Sequence, residues 1–202
     1  MKKFSLLIVF ALTTTLMFGQ LKFGPKIGFN ASKMTTSLDY VSTQFKSGFQ
    51  FGAFVRIGNR VYLQPELYYT SEGGVFENDS TGNTWKQTVT LGSLNIPLLI
   101  GFKIINTELV NLRVLAGPVA SFVVNKKITD VNSVYGPIQK ADLSNSNWYI
   151  QAGAGVDVWM FTFDIRYQVG LNKVIKEVSY KNNTLNFNTS NNVWVISLGF
   201  KI

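Results

Sequence analysis

From Leu21 onward the chain alternates apolar and polar residues, and the alternation recurs in eight blocks. Leu21–Ala31 sets Leu21, Phe23, Pro25, Ile27 and Phe29 against Lys22, Gly24, Lys26, Gly28 and Asn30. The same two-residue period runs through Phe45–Ile57, Val61–Thr70, Leu91–Ile104, Leu109–Val124, Trp148–Val158 and Phe161–Val169. It returns in the closing stretch Asn191–Ile202, where Trp194, Ile196, Leu198, Phe200 and Ile202 share a face. Successive side chains of a strand point to opposite sides, so each block reads as a strand with unlike faces. No block keeps a helical period, and the chain is expected to be all-β.

The connections alternate too. Long segments at 32–44, 71–90, 125–147 and 170–192, rich in Asn, Ser, Thr and Gly, are separated by the short links Gly58–Arg60, Ile105–Glu108 and Trp159–Met160. Short links join antiparallel neighbours. In an up-and-down meander every long link then falls at one end and every short one at the other. That is the plan of an eight-stranded antiparallel transmembrane β-barrel, with long loops outside and tight turns at the periplasmic side.

Alternation alone does not decide which face points inward, because a soluble barrel would put the apolar face inside. Three features favour apolar-outward. The polar face is rich in Gly, at 24, 28, 48, 52, 101, 117, 153, 155, 170 and 199 among others. A narrow eight-strand lumen needs small residues, whereas on a wet surface they only weaken strands. Aromatic residues stand near strand ends (Phe23, Phe45, Tyr69, Trp148, Phe161 and Trp194), as at membrane interfaces. Finally, the apolar final strand has a free edge unless a closed ring pairs it with Leu21–Ala31. Trp194, Ile196, Leu198, Phe200 and Ile202 are therefore expected to close the barrel and to carry its insertion signal.

The N-terminus changes the picture of location. Lys2 and Lys3 precede the apolar run Phe4–Leu12, and a cut after Gly19 follows. The run falls short of the roughly 20 residues a spanning helix needs, so residues 1–19 read as a signal peptide and 20–202 as the barrel domain. The 202-residue chain has no Cys and no His. That excludes disulfides, thiolate or histidine metal sites, and Ser-His or Cys-His nucleophile pairs. Neither cofactor nor metal is expected. The formal charge of +8 comes from basic residues scattered singly, a pattern unlike a nucleic-acid-binding patch.

Six stretches, in order, carry a family resemblance: GPKIGFNAS (24–32), LNIPLLIGFKI (94–104), VLAGPVASF (114–122), QAGAGVDV (151–158), DIRYQVGLNKV (164–174) and WVISLGFKI (194–202). The chain resembles the PorT-like outer-membrane β-barrel family of Bacteroidota. Asn95 stands where that family often has an acidic residue, and Ile202 where it often ends in Phe. The resemblance implies an outer-membrane location and barrel architecture. Its namesake is an accessory of the type IX secretion system, so a non-enzymatic structural or accessory role is implied.

Candidate chemistry lies on the polar face. Lys22, Lys26, Lys46, Arg56, Arg60, Lys103, Arg113, Arg166 and Lys201 stand there against Glu66, Asp157 and Asp164. Buried charges must be paired or hydrated. A structural network of Arg56, Arg60, Glu66, Lys103, Arg113, Asp157, Asp164 and Arg166 is expected to fill the lumen. The second reading is a narrow anion-biased pore, or a barrel that binds a small ligand through its basic interior. Asp157 and Asp164 flank one tight turn, and paired carboxylates can do acid–base work. With Arg166 close in sequence, an ion pair is the expected role. The Asn-rich segments 72–83 and 181–192 read as solvated loops available to an envelope partner. Membrane lipid and the barrel-insertion machinery are the other expected partners.

Overall fold

A computed structural model describes residues 21–35, 42–78, 85–131, 138, 143–180 and 183–202. The expected signal peptide, 1–19, lies outside them, as does part of each long connecting segment. The described residues form ten strands: β1 Leu21–Thr35, β2 Ser42–Gln44, β3 Lys46–Gly58, β4 Val61–Asn78, β5 Trp85–Asn106, β6 Val110–Val131, β7 Ser146–Val158, β8 Phe161–Gly170, β9 Ile175–Tyr180 and β10 Asn183–Phe200. Eight of them form a ring in the order β1-β3-β4-β5-β6-β7-β8-β10, closed by antiparallel pairing of β10 with β1. The two short strands sit at the long-loop end, β2 on β4 and β9 on β10.

The seam is the closure expected of the last strand. Its register runs from Lys26↔Gly199 to Thr35↔Ser190, and backbone bonds between Phe23 and Ile202 at 2.9 and 3.1 Å extend it to the end of the chain. Trp194, Ile196, Leu198 and Ile202 are exposed on the outer face. Phe200 is half-buried, its ring meeting that of Phe161 edge-on at 5.8 Å.

The faces follow the apolar-outward expectation. Phe29 is 76% exposed, and the exposed outward set also includes Ile27, Leu67, Ile96, Ile100 and Ile165. Inward stand Lys26, Asn30, Gln50, Arg56, Gln64, Glu66, Arg113 and Gln168, all buried. Prolines within strands cannot donate to a ladder. Accordingly the β4–β5 pairing steps from Pro65↔Leu98 to Tyr68↔Asn95, and β5–β6 from Pro97↔Val119 to Ile100↔Ala116. The tight turns use left-handed backbone at Gly58 (φ 118°) and at Trp159 (φ 52°). The second costs a non-glycine residue about 1–2 kcal/mol.

The strands run well past the expected loop boundaries. β4 reaches Asn78, β5 starts at Trp85 and β6 reaches Val131. In these extensions the apolar residues change face: Phe76 and Val89 point inward and are fully buried, as is Leu91 where the expected strand begins. With Met34, Ile138, Leu143, Val174 and Ile175 they form an apolar cluster. This second core caps the long-loop end of the lumen, which explains why residues 72–78, within a segment read as a solvated loop, are extended sheet.

Candidate functional site

The site is the interior of the ring. Inward positions on β1, β3, β4, β6, β7 and β8 place one circuit of charged and amide side chains across it. Arg56 gives a hydrogen bond to Asp157 at 2.6 Å and another to Gln64 at 2.7 Å. Gln64 donates to Glu66 at 2.6 Å, and Lys26 joins Glu66 at 2.5 Å to Asp164 at 2.9 Å. Arg113 completes the circuit, bonding Asp164 closely and Asp157 at 3.0 Å. Arg166 adds a bond to Glu66 at 2.8 Å and one to Ser197 at 3.3 Å.

Local sequence makes room for these groups. Gly155 lies under the Arg113 guanidinium, where a Cβ would fall 2.7 Å from its central carbon. Gly153 does the same for Arg166, whose Cγ would stand 2.7 Å from such a Cβ. The Arg56 guanidinium rests over the Tyr62 ring at 4.8 Å, and Lys26 stands over Phe54 at 5.1 Å. Aromatic faces thus complete the coordination of the cations at low dielectric. Buried charges of this kind persist only when partners satisfy them, and Glu66, Asp157 and Asp164 each meet two or more cations.

Of the expected network, Arg56, Glu66, Arg113, Asp157, Asp164 and Arg166 come together. Two members do not. Arg60 is exposed and lies over the outward ring of Phe102 at 5.5 Å, because the turn at Gly58 carries it out of the lumen before β4 begins. Lys103 is buried, but it meets only amide oxygens, Asn106 at 3.2 Å and Asn59 at 3.5 Å. Arg166 pairs with Glu66 rather than with its sequence neighbour Asp164. Lys26 and Gln64, the links that join the two halves of the circuit, were recognisable as inward by strand parity alone.

Above the circuit stands a neutral polar storey. Asn30 donates to Thr70 at 2.7 Å, and Gln168 to Tyr68 at 3.2 Å. Glu72 is buried there with Tyr149, whose hydroxyl donates to it at 3.1 Å. No described cation pairs with Glu72. The apolar cap closes the top. Among the described residues no group of three or more acidic, Cys or His side chains could hold a metal ion.

A closed ring with an apolar outer belt and a charged, filled interior agrees with what the comparisons with known proteins give. A family model described as an outer membrane protein beta-barrel domain matches residues 13–176. The chain belongs to that family. Its location is therefore the outer membrane, and the exposed apolar belt faces lipid. Among solved structures, OprG from Pseudomonas aeruginosa is 13% identical, with a TM-score of 0.54 over 90% of this chain and 95% of that one. Neisserial surface protein A is 13% identical, with a TM-score of 0.46 over 89% and 97% of the two chains. Ail of Yersinia pestis is 15% identical, with a TM-score of 0.45 over 90% and 99%. The first of these shares the fold. No curated protein matches.

Proposed function

We propose that this outer-membrane barrel is a non-enzymatic, non-conducting envelope protein of the PorT-like kind, an accessory to a surface or secretion assembly. The observation that carries this reading is the filled lumen. A charge circuit crosses it and an apolar cluster caps it, so the interior supports neither a solute path nor a substrate pocket. Its three paired carboxylates are held by cations and are poorly suited to exchange protons with a substrate. What remains for function is the two rims and the long loops, which suit docking of an envelope partner. Lipid surrounds the belt, and the barrel-insertion machinery is the partner during biogenesis. A strain lacking the protein, assayed for surface-protein secretion, is expected to lose it. Complementation by a chain shortened in the long loops is expected to fail. Normal secretion in the deletion strain would overturn the accessory role.

A further inference from the structure

At the tight-turn end the lumen breaks a rule that the rest of the barrel keeps. Lys22 stands directly across from Arg56, and Lys103 directly across from Arg113. Like charges opposite one another destabilise a sheet unless something compensates them. Lys201 adds a further cation, 3.6 Å from Asp157. That single carboxylate is already bonded by Arg56 and Arg113. Asp164, one storey further in, is taken by Lys26 and Arg113. Glu108, in the nearby turn, is exposed.

The surplus is not simply solvated. Lys103 is 2% exposed and Arg56 1% exposed. The Nη2 of Arg56 is buried and has no hydrogen-bond partner, which for a guanidinium N–H is costly. We infer that the tight-turn mouth is an anion site for a phosphate group, received by the unpartnered Nη2 of Arg56 and the ammonium groups of Lys22, Lys103 and Lys201. A guanidinium nitrogen supplies directed donors, and the lysines supply charge without fixed geometry, a combination suited to a polyoxygen anion. The site is a dead end, because the circuit lies immediately above it. It does not depend on the secretion role.

The phosphate can belong to a free anion or to a phospholipid headgroup, and two binding arms separate these sources. In neutral detergent, pyrophosphate is titrated into the folded full barrel by calorimetry. In parallel, barrels in nanodiscs of phosphatidylcholine with phosphatidylglycerol are washed into detergent and retained lipid is measured. Saturable binding in the first arm assigns a free anion, and selective retention in the second assigns a headgroup. In whichever arm binds, Lys103→Gln is expected to weaken binding about tenfold or more, while Lys127→Gln on the far end of β6 leaves it unchanged. If Lys103→Gln fails to give a heat-modifiable barrel, Lys22→Gln replaces it. No binding in either arm, or equal loss in Lys127→Gln, overturns the site.

Discussion

Arg166 on β8 and Glu66 on β4 stand on opposite strands of the ring and meet across the lumen at 2.8 Å. Arg56 on β3 and Asp157 on β7 do the same at 2.6 Å. Two diameters of the barrel are thus tied by ion pairs, and the rest of the circuit links one tie to the other. Breaking a buried pair by removing one partner costs about 3–5 kcal/mol, because the other charge is left without its match. Arg166→Met is expected to lower stability by about that much, and Glu66→Gln with Arg166→Met together by less than the two single losses added. Urea unfolding in detergent, followed by tryptophan fluorescence, reads both values. Additive losses would show that the two residues do not act as a tie.

The proposed role requires a lumen without a continuous water path. Purified protein in planar bilayers is expected to give no discrete conductance steps. Steady single-channel steps from the unaltered protein would restore the anion-biased pore reading.

The outward face of β10 gives a further test. Ile196 is 62% exposed and sits between Trp194 and Leu198 on the lipid side. Arginine at the midplane of such a barrel costs about 2–4 kcal/mol. Ile196→Arg is expected to lower the unfolding free energy by that amount, and removal of 194–202 to abolish heat-modifiable migration altogether. A truncated chain that still inserts would refute the closing role of this strand.

Ring size, strand direction and the seam were legible because lipid imposes one simple demand on every strand: apolar outward, every second residue. That demand stops at the membrane surface. Phe76 and Val89 keep their inward parity but become apolar, so a reading tuned to outward apolar residues passes over them as loop. For the charges, parity tells which side chains face in and nothing about whom they meet. Asp164 and Arg166 are two residues apart on one strand, yet each finds its partners on other strands. Arg60 was misplaced for a simpler reason: counting by twos through the turn at Gly58 ignores that the chain has already left the wall.

The circuit also bears on the order of assembly. Its members come from β1, β3, β4, β6, β7 and β8, so a half-built sheet leaves several charges without partners. Presented to hydrocarbon, each of those charges is expensive. Only the finished cylinder hides them all, and it is finished when β10 meets β1. The charges therefore discriminate against premature release: a chain that leaves the insertion machinery with its seam open is penalised by its own interior.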